Sequence, residues 1–252
     1  MGSKALHSQW WKVGGCDMHV RAAAGAGGNA GVPLVLVHGL GVSGAYFMPA
    51  AKRLATAFDV YVPDLPGHGL SGTPPSPPDI AGYAQALVDW MDSAGLARAA
   101  LVGHSMGCQT VVEAALRHPG RIDRLVLIAP VADPAARSSV RQFGRLVASS
   151  VYESPSLIPQ VLKDYLRVGR RIVPELQSML AYPIEAKLPE VRVPAMLVRG
   201  EHDAIAPQAW IDEAARLLRA APAAVVAGRS HAVHYSAPDE VAEAMRAFLL
   251  GE

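Results

Sequence analysis

A serine between two glycines is the first group in the chain whose setting indicates chemistry. Residues 103–107 read Gly103-His104-Ser105-Met106-Gly107, and they stand between an apolar run and a helix-like segment. A serine on a sharp strand-to-helix turn presents its hydroxyl to solvent, and the flanking glycines let neighbouring backbone come close. The pattern predicts that Ser105 is a nucleophile, although five residues alone also fit an ordinary glycine-rich turn.

Two further side chains could activate that serine. A serine hydroxyl is a weak nucleophile until a base removes its proton, and the base needs a carboxylate to orient it. Asp203 follows the apolar run 195–199, and His231 follows the short run 224–227. Polar groups at the carboxyl ends of parallel strands meet at one edge of a sheet. We therefore expect Ser105, Asp203 and His231 to form a catalytic set of nucleophile, acid and base.

Two backbone amides could complete such a site. An attacked carbonyl develops negative charge on its oxygen, which preorganised N–H donors stabilise. The Met106 amide directly follows the serine. The Leu40 amide is the second candidate, because its loop reads His38-Gly39-Leu40-Gly41 and glycines allow close backbone approach. Leu40 and Met106 are the predicted oxyanion hole.

The elements that must position these residues alternate between short apolar strands and helices. Apolar runs that are covered on both faces are typical of a parallel sheet with helices packed on it. The chain therefore predicts an α/β fold with one central sheet. Strands are expected at 10–13, 18–23, 34–37, 60–62, 100–102, 125–129, 195–199 and 224–227, and helices at 46–57, 80–94, 106–118, 208–219 and 237–250.

Residues 131–190 interrupt this alternation. They contain helical patterns at 140–150, 157–171 and 174–180 and no clear strand, and they are too long for an ordinary loop. We expect a helical cap, or lid, over one end of the sheet, with the core formed by 1–130 and 191–252. The proline-rich stretch 73–78 and the glycine-rich stretch 25–31 predict loops.

Together these pieces resemble the α/β-hydrolase superfamily, in its capped, serine esterase-like branch. The matching segments are 38–41, 63–71, 103–107, 200–203, and His231 with Pro238 seven residues later. The resemblance implies a mostly parallel, eight-stranded sheet flanked by helices, the chain order serine, aspartate, histidine, and no cofactor. It covers the core from about residue 34 onward and leaves the cap unmatched.

The acid and the base each have an alternative candidate within the superfamily pattern. Some members of the superfamily carry the acid on an earlier strand, where this chain has Asp133. The Gly-Glu-His-Asp context favours Asp203. His234 could replace His231 as the base, but the spacing to Pro238 favours His231. Ser230 and Ser236 stand where the family pattern usually has a glycine and an acidic residue.

The resemblance implies a hydrolase that cleaves carboxylic esters through an acyl-enzyme. A serine at position 105 disfavours epoxide and haloalkane hydrolysis, for which the superfamily uses aspartate there. Hydrolysis of carbon–carbon bonds, thioesters or lactones on the same triad stays open, as does a non-catalytic ligand-binding protein. Substrate pockets are mainly apolar, and the predicted pocket residues are Tyr46, Phe143, Tyr165, Met179 and His234.

Composition excludes several other classes of protein. The 23 Lys and Arg residues balance 22 Asp and Glu residues, which argues against a nucleic-acid partner. The chain is 51% hydrophobic and 18% charged, which argues against disorder. Cys16 and Cys108 cannot build a disulfide framework, and no spacing of ligand-type residues predicts a metal. The expected partner is a small-molecule ester, and the sequence does not indicate an oligomeric state.

The sequence also gives no indication of a membrane-spanning or secretion signal. No apolar run reaches the ~18 residues that a membrane span needs. The first fifteen residues contain no apolar stretch of the kind that signal peptides carry. We therefore expect a cytoplasmic protein with no membrane partner.

Overall fold

An eight-stranded sheet forms the centre of the protein in residues 6–25 and 32–252, which the computed structural model describes. The order across the sheet is β1-β2-β4-β3-β5-β6-β7-β8. β1 and β2 run antiparallel, and β3 to β8 are parallel to one another. The strands are β1 (His7–Val13), β2 (Cys16–Ala23), β3 (Leu34–Val37), β4 (Val60–Pro63), β5 (Ala99–His104), β6 (Ile122–Ile128), β7 (Ala195–Gly200) and β8 (Ala224–Val226).

Helices flank this sheet, so the predicted fold class is confirmed. α2 packs against α3, and α1 packs against α10. β3 and β5 are buried along their whole length, which explains their continuously apolar sequence. The helices are α1 (Met48–Leu54), α2 (Ile80–Ser93), α3 (Met106–Arg117), α4 (Ser139–Ser150), α5 (Ile158–Val168), α6 (Ile172–Ala181), α7 (Ile184–Lys187), α8 (Gln208–Leu218), α9 (Val233–Ser236) and α10 (Pro238–Leu250).

The structure differs from the sequence-based expectation in a few elements. The helix expected at 46–57 is α1 alone, and a 3-10 turn at Gly44–Phe47 precedes it. A proline at the start of α1 fits, because that position has no helical hydrogen bond to lose. α7 and α9 were not expected, since four residues are too few to show helical periodicity. Residues 26–31 of the expected glycine-rich loop lie outside the described residues.

Two buried carboxylates join the helices between β6 and β7 to the core. Asp164 of α5 accepts hydrogen bonds from the amide and the hydroxyl of Ser43, at 2.9 and 2.7 Å. Glu175 of α6 accepts a hydrogen bond from the hydroxyl of Tyr83 at 3.3 Å and lies 2.9 Å from Nε2 of His68. Both acids are almost fully buried, so these contacts fix α5 and α6 against loops of the core.

Asp64 is a buried hub beneath those loops. Its carboxylate contacts Nδ1 of His19, Nη1 of Arg21 and the amides of Gly44 and Leu70, all at 2.8 to 2.9 Å. Burial alone would raise the pKa of Asp64, but the hydrogen bond from His19 and the charge of Arg21 lower that pKa well below its usual value. The ionised carboxylate therefore joins β2 to the loops after β3 and β4.

Asp64→Asn is expected to lower the free energy of unfolding by about 3–5 kcal/mol, because it leaves Arg21, whose side chain is only 16% exposed, without its counter-ion. Urea denaturation measures the change. The folded pKa lies below the unfolded value of about 3.9, so the stabilisation holds above that pH and is lost as pH falls toward the folded pKa. The difference in free energy of unfolding between the unsubstituted protein and Asp64→Asn should therefore become smaller at acid pH.

Asp17→Asn is the matched control for this prediction. Asp17 forms an exposed ion pair with Lys12, and such pairs contribute under about 1 kcal/mol. If both substitutions cost the same, Asp64 is not the hub that its contacts indicate.

Candidate active site

Ser105 lies on the predicted strand–turn–helix, between the end of β5 and the first residue of α3. Its φ of 57° and ψ of −122° are strained for a residue with a side chain, and such strain is concentrated at functional sites. A Cβ at Gly103 would lie 2.6 Å from the carbonyl oxygen of Gly107, and one at Gly107 would lie 2.3 Å from that of Val37. Only glycine fits at these two positions, as the sequence pattern predicts.

His231 and Asp203 are paired directly. Nδ1 of His231 lies 2.8 Å from Oδ2 of Asp203. The other carboxylate oxygen of Asp203 accepts the amides of Ile205 and Ala206, at 2.8 and 3.0 Å. An ionised Asp203 requires Nδ1 of His231 to carry a proton, which leaves Nε2 as the nitrogen that can accept one.

The pair shifts the pKa of each partner. Burial would raise the pKa of Asp203, but the charge and hydrogen bond of His231 lower it below its usual value. Burial would likewise lower the pKa of His231, but the charge and hydrogen bond of Asp203 raise it above its usual value. Asp203 is therefore ionised at neutral pH, and it stabilises the protonated form of His231.

Asp133, the alternative acid, forms its hydrogen bonds with groups other than His231. Its two carboxylate oxygens accept hydrogen bonds from the amide of Ala135 at 2.8 Å and from Arg145 at 2.7 Å. Asp133 thus braces the start of the helical segment. The structure brings Asp203, and not Asp133, to His231.

The rival base, His234, lies in an aromatic cluster on α9. Its ring is fully buried, 4.4 Å from the ring of Tyr46 and 4.2 Å from that of Phe47. Neither ring nitrogen has a hydrogen-bond partner within residues 6–25 and 32–252. Burial, followed by the nearby His231, holds the pKa of His234 well below its usual value, so its ring stays neutral.

His104 connects the serine turn to His231. Nε2 of His104 lies 3.0 Å from the carbonyl oxygen of His231, and the two rings are 4.6 Å apart. The described residues include no hydrogen bond between the hydroxyl of Ser105 and His231. Such contacts are often long before a substrate binds and tighten in its complex.

Tyr46 extends this connection to the loop after β3. Its hydroxyl accepts the amide of Gly39 at 2.9 Å and lies 2.5 Å from Nδ1 of His104. Because Nε2 of His104 donates to a carbonyl, Nδ1 must accept the proton of Tyr46. One hydrogen-bonded chain thus runs from Gly39 through Tyr46 and His104 to the backbone of His231. The sequence indicated Tyr46 only as a pocket residue, whereas its side chain is buried and forms part of this hydrogen-bonded series.

The loop that carries Leu40 lies against Ser105. A Cβ at Gly39 would be 3.0 Å from that of Ser105. His38 fixes the loop, because its Nε2 accepts the amide of Leu65 at 2.9 Å and its Nδ1 donates to the carbonyl of Gly39 at 3.0 Å. Within residues 32–252 the amides of Leu40 and Met106 donate to no protein acceptor. Both remain available as donors beside the serine.

The other predicted pocket residues occupy different environments. The ring of Tyr165 on α5 lies over the Leu40 loop, since its Cε1 is 2.7 Å from where a Cβ at Gly41 would be. Met179 on α6 is buried, and its carbonyl accepts the side chain of Gln109 at 2.9 Å. Phe143 on α4 is largely exposed. Their part in substrate binding stays a prediction.

Glu153 was not singled out from the sequence, because it lies in the helical segment that no motif matches. Its Oε1 accepts the amide of Ala232 at 2.9 Å. Its Oε2 is buried and has no hydrogen-bond partner among the described residues. Its charge also contributes, after that of Asp203, to the raised pKa of His231. A second carboxylate is therefore directed at the His231 loop.

Arg199 is a second residue that the sequence did not indicate. It is almost fully buried at the end of β7 and donates to the carbonyl of Asp203 at 3.1 Å and to Oε1 of Gln208 at 2.6 Å. It thus fixes the loop that carries Asp203. An arginine in an apolar strand gives no sequence signal for this role.

The described residues contain neither a cluster of metal-ligand side chains nor a membrane-spanning helix. In residues 6–25 and 32–252, no three His, Cys, Asp or Glu side chains are grouped so that they could hold a metal ion. No helix in the same residues combines the length and the apolar character that crossing a membrane requires.

Comparison with known proteins gives consistent matches. The model of the alpha/beta hydrolase family matches residues 34–244. Esterase YbfF of Escherichia coli (strain K12) is 28% identical, over 92% of this chain and 98% of its own. The pimeloyl-[acyl-carrier protein] methyl ester esterase of Xanthomonas axonopodis pv. citri (strain 306) is 25% identical, over 87% of this chain and 95% of its own.

Among solved structures, a membrane phospholipase A described as a bacterial virulence factor has the same fold. The TM-score is 0.83 at 22% identity, and the match covers 98% of this chain and 86% of that one.

Asp203→Asn is expected to lower the pKa of His231, because it removes the negative charge that stabilises the imidazolium. NMR titration of labelled histidines measures this pKa, which should lie above 6.5 in the unsubstituted protein. Asp133→Asn is the matched control and should leave the His231 titration unchanged. The reverse result would make Asp133 the partner of His231.

Proposed function

The chain belongs to the alpha/beta hydrolase family, and on that premise we propose that it is a serine hydrolase that cleaves carboxylic esters. Its esterase relatives support hydrolase activity. The names of esterase YbfF and of the methyl ester esterase support esters as the substrate class. The observation that carries the proposal is the strained turn at Ser105 at the same sheet edge as the His231–Asp203 pair.

In the proposed acylation step, the hydroxyl oxygen of Ser105 bonds to the ester carbonyl carbon and its proton passes to Nε2 of His231. Asp203 accepts the Nδ1 proton of His231 in a hydrogen bond and stabilises the imidazolium that forms. The negative charge moves to the carbonyl oxygen, which the amides of Leu40 and Met106 stabilise.

The tetrahedral intermediate then collapses to the acyl-enzyme, which water hydrolyses in a second step. His231 returns the proton to the alcohol oxygen as the carbon–oxygen bond breaks, and the acyl group stays on Ser105. Water then gives its proton to the same imidazole and attacks the acyl carbon. The second tetrahedral intermediate collapses as its bond to the Ser105 oxygen breaks, and His231 returns the proton to that oxygen. Release of the acid restores the serine and the neutral imidazole, with water as the only added reactant.

We propose that residues 131–190 act as a cap on a core made of 1–130 and 191–252. The contacts of Asp164 and Glu175 support this role, because they fix α5 and α6 beside the loops that carry the site. Tyr165 lies over the Leu40 loop, which supports its place in the substrate pocket.

Hydrolysis of p-nitrophenyl esters from acetate to palmitate tests the proposal. Ser105→Ala is expected to lower kcat/KM by at least about 10³-fold, because it removes the nucleophile. Ser93→Ala, at the exposed end of α2, is the matched control and should retain full activity. The dependence of kcat/KM on acyl chain length then measures how long an acyl chain the pocket accepts.

Activity that survives Ser105→Ala would overturn the assignment of the nucleophile. If the unsubstituted protein cleaves no ester in the series, ester hydrolysis is wrong. Carbon–carbon, thioester and lactone substrates are then tested with the same pair of proteins, and ligand binding without turnover is the remaining alternative.

Glu153→Gln is expected to move the acid limb of the kcat/KM pH profile to lower pH. The base must be neutral to accept the serine proton, and loss of the Glu153 charge makes His231 easier to deprotonate. Glutamine keeps the oxygen that accepts the Ala232 amide, so the loop stays held. Glu213→Gln is the control and should leave the profile unchanged, because Glu213 is partly exposed on α8, where it pairs with Arg216. An unmoved acid limb in Glu153→Gln would limit Glu153 to a structural role.

A further inference from the structure

The outer face of α4 is apolar although it faces solvent. Gln142 and Ser149 face the core, where Gln142 donates to the carbonyl of residue 136 and Ser149 contacts residues 204 and 230. Val140, Phe143 and Val147 lie on the opposite side at helical spacing and are 52% to 80% exposed. α4 therefore presents an unpaired apolar stripe.

The outer face of α5 repeats this arrangement. Asp164 and Val168 face the core. Ile158, Leu162 and Leu166 recur every four residues on the other side and are 58% to 74% exposed. Two consecutive helices thus turn leucine, isoleucine, valine and phenylalanine outward.

This apolar surface is concentrated in one part of the chain. Of the fourteen large apolar side chains that are exposed in the described residues, ten lie between residues 140 and 173. Exposed apolar residues that occur singly need no explanation, whereas a concentration of them marks an interaction surface. We call the exposed side chains of 140–173 the outer cap face.

The charges on the outer cap face all have one sign. Between residues 139 and 175, the exposed charged side chains are Arg141, Lys163, Arg167 and Arg170. The acids of this stretch, at 153, 164 and 175, are directed inward at the Ala232 amide, at Ser43, and at Tyr83 and His68. The surface is cationic and apolar, while the whole chain is nearly neutral.

We propose that the outer cap face docks the protein on an anionic phospholipid surface. Apolar side chains enter the boundary between headgroups and acyl chains, while lysines and arginines contact the acidic headgroups. A second copy fits less well, because a two-fold contact would place like charges against each other. This departs from the sequence-based expectation of no membrane partner, and peripheral docking requires no membrane-crossing helix.

The docking would bring the site near the lipid. The same α5 that turns Leu162 and Leu166 outward holds Tyr165 over the Leu40 loop beside Ser105. Esters that partition into the lipid surface are therefore the substrates that this geometry favours. Only this last step rests on the proposed function, because docking itself involves no catalysis.

Vesicle cosedimentation of the full chain tests the docking. We expect binding to vesicles of phosphatidylcholine with phosphatidylglycerol, weaker binding to phosphatidylcholine alone, and weakening by salt. Leu162→Ser/Leu166→Ser should reduce binding at least about tenfold, because each leucine buries apolar surface in the lipid. Lys163→Glu should reduce binding only to the anionic vesicles. Leu250→Ser, which alters an exposed leucine at the end of α10, is the control and should bind normally.

Hydrolysis of a soluble short-chain ester in the absence of vesicles separates the two proposals. The double variant should match the unsubstituted protein there, because the site is unchanged. A protein that binds anionic vesicles but cleaves no ester would refute the proposed function and leave the docking intact. Absence of binding, or equal binding by the double variant, would overturn the docking. So would a dimer in light scattering that the double variant dissociates, because the outer cap face would then pair with its own copy.

Discussion

The close approach between the first turn of α3 and the end of β3 determines most of the site. The backbone at Gly107 is so near the carbonyl of Val37 that no side chain fits between them. This contact holds α3 over the centre of the sheet, keeps Ser105 at a positive φ, and brings the Leu40 loop against the serine. The strain at one residue is small beside the burial of β3 and β5, so the sheet can maintain it.

Buried carboxylates, each with several donors, hold the loops around this centre. Asp64 joins β2 to the loops after β3 and β4, Asp164 fixes α5 on Ser43, and Asp203 combines its histidine with two backbone amides. A carboxylate accepts several hydrogen bonds at once, so moving or removing it breaks the bonds of all its partners together. Loop positions at this sheet edge are therefore cooperative, and the geometry of the site depends on residues that do not touch substrate.

The sequence predicted those parts that short-range rules determine. Apolar runs indicated the six parallel strands, a hairpin around Gly14 and Gly15 indicated β1 and β2, and the glycines around Ser105 indicated a turn that backbone contact requires. The exposed start of β1 at 7–9 carried no such signal. Asp203 and His231 were expected to lie together because parallel strands end at one edge of a sheet, and the structure pairs their side chains. Tyr46 and Glu153 act through contacts with residues 58 and 79 positions away in the chain. No local pattern encodes such pairs, and residues 233–236 are too few to show the period of a helix.

The hydrogen bonds and burial of the neighbouring histidines restrict proton transfer at His231. Nδ1 of His104 accepts from Tyr46 and its Nε2 donates to the carbonyl of His231, so both nitrogens are already committed. Burial, followed by the nearby His234 and His231, holds the pKa of His104 well below its usual value. His234 is neutral for a similar reason. Neither His104 nor His234 is therefore suited to take a proton from His231. In the proposed mechanism, a proton that Nε2 of His231 accepts must be given up from the same nitrogen.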